Sequence, residues 1–192
     1  MEIIKEALTF DDVTLAPNYS KVLPSEVNTT THLSKNLSLK IPLLTSAMDT
    51  VTESKMAITM AELGGIGVIH RNLTIDQQIS EIRKVKAKKY LVGAAVGASL
   101  QEHKRAEKIL KENLDLIVVD TAHGHTKKVG EIIKKIKKIK PKKTTLCAGN
   151  IATAEAAKYL IKLGVDIIKV GIGPGSICTT RLVAGIGVPQ LS

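Results

Sequence analysis

The chain of 192 residues and 20.6 kDa has the size of one ordinary domain, and 44% of its residues are hydrophobic, which excludes a disordered chain. Its longest apolar runs are far shorter than the roughly 18 residues of a membrane span, and its first residues lack the pattern of a signal peptide. The 28 basic and 18 acidic residues give a formal net charge of +10, and the two cysteines have no metal-binding or disulfide-framework spacing, so we expect a reduced protein of the cytoplasm.

Short apolar segments alternate with amphipathic segments along most of the chain. The apolar segments, which predict strands, are 41–47, 65–70, 90–97, 115–120, 144–150 and 166–171. The amphipathic segments between them, which predict helices, are 54–63, 75–85, 101–112, 127–140 and 154–163. The predicted strands begin about every 25 residues, which indicates a repeating strand-plus-helix unit.

This repeating unit predicts the fold class. Apolar strands that alternate with helices form a parallel sheet with right-handed crossovers. No Gly-x-Gly-x-x-Gly motif follows the first predicted strand, so a TIM-type (β/α)8 barrel fits the α/β pattern better than a doubly wound dinucleotide fold does. Such a barrel typically has eight strands and about 250 residues. With about six strands, the chain is therefore expected to be an incomplete barrel, which is a fragment, one part of a split protein or one ordered piece of a longer chain.

Most of the positive charge lies in one predicted helix. Residues 127–143 contain nine lysines, and the apolar residues among them recur at helical spacing. We interpret the lysines as the solvated outer face of a helix that packs on the core. One Phe, three Tyr and no Trp leave little material for stacking on unpaired bases, so nucleic acid is not an expected partner, and the charge suits the attraction of small anionic substrates.

Polar residues follow several of the predicted strands, which is where the active sites of parallel barrels lie. They occur in the segments SAMD at 46–49, HRN at 70–72, DTAHGH at 120–125, GN at 149–150 and GIGPGSICTTR at 171–181. Because the carboxyl ends of parallel strands share one face, these groups are expected to converge there. The convergence predicts an enzyme.

The segment after the sixth predicted strand holds the candidate nucleophile. The glycines of residues 171–175 let backbone N–H groups approach an anion and Ser176 adds a hydroxyl, so this loop either holds a phosphate or is an ordinary turn. Cys178, beside the loop, can have a lowered pKa and act as a nucleophile, the alternative being a small buried hydrophobe. Cys147 lies within an apolar segment, and we expect it to be such a hydrophobe.

Other polar residues near the strand ends allow further interpretations. Asp120 follows an aliphatic segment and can accept hydrogen bonds from ribose hydroxyls or cap the next helix. His123 and His125 have no third ligand nearby, so they do not predict a metal site. Lys169 lies within a predicted strand and therefore needs a charged partner or a solvated barrel mouth.

Several of these segments resemble the inosine-5′-monophosphate (IMP) dehydrogenase family. The matching segments are LTFDDV at 8–13, SAMDTVTE at 46–53, GGIGVIH at 64–70, VGAAV at 92–96, DTAHGH at 120–125, GIGPGSICTTR at 171–181 and VAGIGVPQ at 183–190. They run in family order over essentially the whole chain.

The resemblance implies an NAD-dependent oxidation of IMP to xanthosine-5′-monophosphate (XMP), the committed step of guanine nucleotide biosynthesis. Cys178 would form a covalent intermediate with the purine ring, and Thr180 would lie beside the attacking water. Ser46 and Met48 would line the IMP pocket, and Ser176 would contact the IMP phosphate.

The same resemblance implies sites for NAD and for a potassium ion, and a homotetrameric assembly. The residues implied for NAD are Asp120, which would hold the nicotinamide ribose, and Asn150 and Gly171, which would lie near the carboxamide. The residues implied for potassium are Gly173, Gly175 and Cys178, through their backbone carbonyl groups.

The chain differs from most members of that family in two respects. Residues 71–89 form a single helical pattern that leads straight to the next predicted strand, so no pair of CBS modules fits there. The family's last barrel strands, its second phosphate-binding segment and its flap with an arginine base have no counterpart before Ser192. The resemblance thus implies that residues 1–192 are the N-terminal, incomplete part of one catalytic barrel domain without CBS domains. Either the chain is a truncation or a complementing chain or segment supplies the missing parts, and the activity of this chain alone stays open.

Two alternative functions also stay open. GMP reductase resembles this family in fold and in the Cys-Thr-Thr segment, although SAMDTVTE at 46–53 and AGIGVPQ at 184–190 favour the dehydrogenase. A partial barrel could also bind nucleotide without catalysing a reaction.

Overall fold

A computed structural model describes residues 6–175 and 177–191, so Ser176 lies outside the described residues. The strands are β1 (Thr31–Ser34), β2 (Leu37–Leu39), β3 (Gly67–Ile69), β4 (Val92–Val96), β5 (Leu116–Asp120), β6 (Thr145–Ile151) and β7 (Ile167–Val170). The α-helices are α1 (Ser54–Glu62), α2 (Ile75–Ala87), α3 (Leu100–Ile109), α4 (Lys127–Ile139), α5 (Ala154–Leu163) and α6 (Thr179–Ala184). Within the described ranges, no helix has the length and apolar composition that a membrane crossing requires.

Strands β3 to β7 form one parallel sheet in the order β3-β4-β5-β6-β7. Each strand therefore pairs with the next strand in the sequence, and a helix lies between them in the chain. A doubly wound sheet reverses its strand order at a switch point, whereas a barrel wall does not. The structure confirms the predicted α/β class as a partial TIM-type barrel.

Five of the six predicted parallel strands form, and the first predicted strand, 41–47, does not. It contributes only one isolated parallel bridge, between Leu44 and Ile66. The segment contains Pro42, which has no N–H to donate, and the side chains of Leu43 and Leu44 are exposed. The short apolar run therefore gave the right position along the barrel wall but overstated the length of the strand.

Both faces of the sheet are covered, as barrel strands require. Along β5, Leu116 and Val118 belong to an inner apolar cluster, while Ile117 and Val119 belong to a larger cluster shared with the helices. The antiparallel hairpin of β1 and β2, which was not predicted, adds the buried Leu37 and Leu39 to the inner cluster.

The hairpin closes the inner cluster at the amino ends of the strands. Ser34 lies at the end of β1, and its Oγ is 2.8 Å from Oγ1 of Thr145, the first residue of β6. Asn36, in the turn, donates to the carbonyl oxygen of Lys142 over 2.9 Å. The opposite, carboxyl end of the sheet is thereby left as the face on which a site can form.

Helices α2 to α5 begin at hydroxyl residues that fix where the preceding loop ends. Thr74, Ser99, Thr126 and Thr153 occupy the N-cap positions of α2, α3, α4 and α5, and each side chain accepts a hydrogen bond from a backbone N–H of the first turn. These caps are worth about 1 kcal/mol each. They hold the loops at the carboxyl edge at defined lengths.

Candidate functional site

A cavity of about 410 Å³ opens at the carboxyl ends of β5, β6 and β7. The predicted site residues that line it are Asp120, Asn150, Gly171, Gly173, Cys178 and Thr180. They come from three strand ends and from the segment that follows β7. The structure thus brings together six predicted residues that lie up to 60 positions apart in the sequence.

Asp120 ends β5 inside this cavity and forms an ion pair with Lys169 of β7. The Nζ atom of Lys169 is 2.9 Å from Oδ1 of Asp120, and the two side chains are 41% and 26% exposed. This ion pair supplies the charged partner that the sequence predicted for Lys169. Among the described residues nothing bonds to the second carboxylate oxygen, Oδ2, so it can accept hydrogen bonds from a ligand.

The end of β6 is joined by hydrogen bonds to the residues that directly follow β5 and β7. Thr121 donates to the carbonyl oxygen of Gly149 through its N–H over 2.9 Å and its hydroxyl over 2.8 Å. Asn150 donates through its backbone N–H to the carbonyl oxygen of Thr121 and through Nδ2 to the carbonyl oxygen of Gly171, over 2.8 and 2.9 Å. The side chain of Asn150 is therefore held in place beside Gly171.

Cys178 occupies the N-cap position of α6 and is half-buried at the cavity wall. The backbone N–H of Arg181 has the largest effect and lowers the pKa of the thiol, whereas burial opposes it and raises the pKa. The N–H and hydroxyl of Thr180 and the backbone of Gly173 lower it further, so the pKa lies below its usual value. Hydrogen bonds of this kind stabilise the thiolate, which is the nucleophilic form of cysteine. The environment of Cys178 agrees with the predicted nucleophile, and Thr180 contributes directly to it.

Cys147 has the opposite environment. It lies in β6 and packs in the inner cluster, where burial raises the pKa of its thiol to about 12. It is the small buried hydrophobe that the sequence predicted.

The segment between β7 and α6 turns sharply at Gly173, whose φ is +54°. A Cβ at this position would lie 2.7 Å from the carbonyl oxygen of Ile186 and 2.8 Å from the Cα of Gly187. Glycine is therefore required both by the left-handed backbone and by the close packing of the following segment. Ser176, the predicted phosphate contact in the same loop, lies outside the described residues.

The carbonyl groups predicted to bind potassium belong to this loop and to the start of α6. The carbonyl oxygen of Gly175 accepts from the N–H of Cys178 over 3.2 Å, and that of Cys178 accepts from the N–H of Leu182 over 3.0 Å. Each carbonyl oxygen has a second lone pair. The donor set of backbone oxygens, together with Gly173, is thus chemically suited to an alkali cation.

Ser46 and Met48, predicted for the IMP pocket, do not line this cavity. Both are exposed in the loop after the Leu44 bridge, at the β3 end of the sheet. Hydrogen bonds tie this loop to the end of β3, since Asn72 Nδ2 donates to Asp49 Oδ2 over 2.8 Å. Ser46 and Met48 therefore lie at the carboxyl ends of the strands, as predicted, but at the β3 end of the sheet, away from the cavity at β5 to β7.

Gln78 and His70 are two buried polar residues at the β3 end of the sheet. The sequence predicts His70 among the polar residues at the strand ends, without a specific role, and does not single out Gln78. Gln78 is fully buried in α2, and its Nε2 donates to the carbonyl oxygens of His70 and Ala95 over 3.1 and 2.9 Å, at the ends of β3 and β4. Its Oε1 accepts from Arg105 over 3.0 Å. Because Gln78 falls between Ile75 and Ile82 in the apolar phase of α2, a polar residue at a core position was the available signal.

His70 supports the same edge through both ring nitrogens. Its Nδ1 accepts from the N–H of Asn72 over 3.2 Å, so its Nε2 carries the proton and faces Oε1 of Glu53 at 3.3 Å. A larger cavity of about 690 Å³ lies between Arg71, the start of α3 and α4, but none of the predicted site residues lines it.

The family of the chain follows from sequence comparison. The family described as "IMP dehydrogenase / GMP reductase domain" matches residues 7–192. The chain belongs to the IMP dehydrogenase / GMP reductase family. The match covers the cavity residues and Cys178, and it extends over all of the described barrel wall.

Relatives named inosine-5′-monophosphate dehydrogenase match nearly the whole chain. The protein of Borreliella burgdorferi is 47% identical, over 100% of this chain and 59% of its own length. The proteins of Cryptosporidium parvum and Aquifex aeolicus are 44% and 34% identical, over 98% of this chain and 57% and 64% of their own lengths. The chain therefore spans about three fifths of the length of these curated relatives.

Proposed function

We propose that this chain is part of the catalytic barrel of an IMP dehydrogenase, which oxidises IMP to XMP with NAD as the hydride acceptor. The observation that carries the proposal is the thiol of Cys178, which has a lowered pKa and faces the same cavity as Asp120 and Asn150. The named relatives favour the dehydrogenase over GMP reductase, although the family description covers both.

In the proposed reaction the Cys178 thiolate adds to C2 of the hypoxanthine ring. NAD, when bound, accepts the hydride that leaves C2. Water then attacks the covalent intermediate at C2 and displaces the sulfur, which releases XMP and restores the thiol. Thr180 supports both steps, since its N–H and hydroxyl stabilise the thiolate before addition and after release.

Other cavity residues have roles in binding. Oδ2 of Asp120 is available to accept hydrogen bonds from the nicotinamide ribose, while Lys169 holds the carboxylate in position through Oδ1. Asn150 and Gly171, joined by their hydrogen bond, form a fixed polar wall for the carboxamide. Backbone carbonyls of Gly173, Gly175 and Cys178 would hold potassium, which keeps the loop before the nucleophile in one conformation.

The phosphate end of IMP is assigned to Ser176, and the IMP pocket to Ser46 and Met48. Ser46 and Met48 follow the Leu44 bridge and border β3 at the carboxyl edge of the sheet, and Ser176 follows β7 in the sequence. In a closed barrel the β3 end and the β7 end of the wall face each other across the mouth. We propose that further strands complete this closure, from the same protein or a complementing chain.

The organisation of the active protein is also proposed. Four residues join α2 to β4, which supports a barrel without the pair of CBS modules at that point. We further propose a homotetramer in the cytoplasm, in line with the family and with two free cysteines.

Substitution of the nucleophile tests the reaction. In the complete protein, with the strands that close the barrel present, Cys178→Ser should abolish NADH formation from IMP and NAD, followed at 340 nm, while IMP binding changes little in calorimetry. Cys147→Ser is the matched control and should keep both. Full activity of Cys178→Ser would refute the nucleophile, and turnover of GMP with NADPH alone would favour GMP reductase. Normal steady-state turnover by the 192-residue chain alone would refute the expected need for further strands.

A further inference from the structure

Residues 127–143 concentrate nearly all of the chain's net charge. They contain nine lysines and one acidic residue, Glu131, which gives +8 of the total of +10. We refer to the eight of these lysines that are exposed as the lysine surface: Lys127, Lys128, Lys134, Lys135, Lys137, Lys138, Lys142 and Lys143. It comprises the outer face of α4 and the turn that follows.

The fold leaves this surface outward-facing. The apolar face of α4 is buried in the core through Val129, Ile132, Ile133 and Ile136. The lysines therefore lie on the opposite side of the helix, in contact with solvent. None of them lines the candidate active-site cavity, so none of them contacts a ligand bound there.

The charge of the surface is not compensated within the described chain. No carboxylate of residues 6–175 or 177–191 lies within 4.0 Å of any of its eight lysines. Lys137 and Lys143 instead donate to the carbonyl oxygen of Leu163 and to Oδ1 of Asn113. Lys134 and Lys138 are four positions apart on one helix face, a spacing at which like charges destabilise the helix. An external polyanion would remove this repulsion.

We propose that the lysine surface binds the phosphate backbone of a double-stranded nucleic acid without reading its sequence. Helix α4 has 13 residues and is about 20 Å long, a distance over which a duplex carries roughly a dozen phosphate charges. Lysine ammonium groups act as point charges that suit such a regular anion.

The composition of the surface selects a duplex among polyanions. It contains no aromatic side chain on which unpaired bases could stack, so it is not suited to a single strand. Contacts between lysines and phosphates do not need aromatic side chains. The apolar face of α4 is occupied by the core, so the helix cannot insert it into a lipid bilayer. A rigid, evenly charged double helix is the partner that requires only this row of cations.

Fluorescence anisotropy with a labelled 24-base-pair duplex tests the proposal on the chain itself. The variant K134Q/K135Q/K138Q removes three charges of the surface, and the control K21Q/K55Q/K88Q removes three exposed charges elsewhere, so both have the same net charge. We expect at least a tenfold loss of affinity in the first variant at about 0.1 M salt and less than a twofold loss in the control. The plot of the log association constant against the log salt concentration has a negative slope, and its magnitude should decrease by about 2 to 3 in the first variant, at about 0.9 per lost phosphate contact.

Several outcomes would overturn the proposal. Equal losses in the two variants would assign the binding to net charge alone, and no binding at about 50 mM salt would remove it altogether. Tighter binding to phosphatidylserine vesicles, or to a single strand of the same length, would name a different partner. Circular dichroism and a melting curve check that both variants fold. Since Cys178→Ser should bind the duplex normally, failure here is distinguishable from failure of the proposed enzymatic function.

Discussion

The two cysteines of this chain differ in reactivity because their surroundings differ. Cys178 is half-buried and its thiolate is stabilised by the N–H of Arg181 and by Thr180, whereas Cys147 is packed among aliphatic side chains. At neutral pH the lower pKa gives Cys178 the larger thiolate fraction, and Cys147, with a pKa of about 12, stays protonated. We expect iodoacetamide to modify Cys178 first, with a rate that levels off at a lower pH than that of an ordinary thiol, as mass spectrometry would measure.

Denatured protein provides the control, because both thiols then have ordinary pKa values and should react at similar rates. Rapid modification of Cys147 in the folded chain would contradict the buried environment. Persistence of the fast reaction in Cys178→Ser would show that the reactive thiol is a different one.

Backbone geometry makes Gly173 the least replaceable residue of the nucleophile loop. Its φ of +54° is unfavourable for other residues, and a Cβ would clash with the carbonyl oxygen of Ile186. We expect Gly173→Ala to lower the free energy of unfolding in urea by about 1–3 kcal/mol. Gly175→Ala is the matched control, because nothing lies within 4 Å of its Cβ, and it should stay within about 0.5 kcal/mol of the parent. Equal effects of the two changes would contradict the proposed packing.

Residue types with a chemical signature could be placed from the sequence, and residues defined by contact could not. The glycine-rich loop and Cys178 can be recognised because they are adjacent in the sequence. The position of Lys169 within an apolar segment likewise shows that its charge needs a partner. The identity of that partner, Asp120, depends on the register of three strands, which no local pattern fixes.

At the scale of elements, α2 is joined to the ends of β3 and β4 by one buried side chain, Gln78. Replacing it by leucine keeps the volume but leaves two buried carbonyl oxygens and a guanidinium N–H of Arg105 without this partner. We expect Gln78→Leu to destabilise the chain by about 1–3 kcal/mol in urea unfolding. The exposed Gln101→Leu in α3 is the control and should change little. A neutral Gln78→Leu would mean that the amide contributes nothing beyond packing.

Long elements with a clear period were predictable and short ones were not. Helices α2, α4 and α5 start at the predicted residues because capping residues and apolar spacing agree, and α1 starts at the predicted residue on its apolar spacing, without a side-chain cap. The β1–β2 hairpin and the six-residue α6 are too short to carry a period, and the 41–47 segment formed one bridge because a strand also needs neighbours that offer hydrogen bonds.

For the whole molecule, the repeat of strand and helix predicted the parallel wall and its order, since sequential βα units leave few other topologies. The cavity followed from the same rule, because strand ends of one wall share an edge. The rule could not predict that Ser46 and Met48 would lie apart from that cavity, because their distance from it depends on how many strands close the barrel.

The order of the sheet also predicts where the molecule opens. Strand β5 pairs with β4 on one side and β6 on the other, whereas β7 pairs only with β6 among the strands that the structure describes. Amide hydrogens on β5 should therefore exchange at least about a hundredfold more slowly than those of β7 that face away from β6, as measured by NMR-detected hydrogen exchange. Uniform protection across β5 and β7 would mean that another strand covers this edge in solution. Repeating the measurement over a dilution series separates the two sources of such a strand, because a second copy of the chain dissociates on dilution and a strand of the same chain does not.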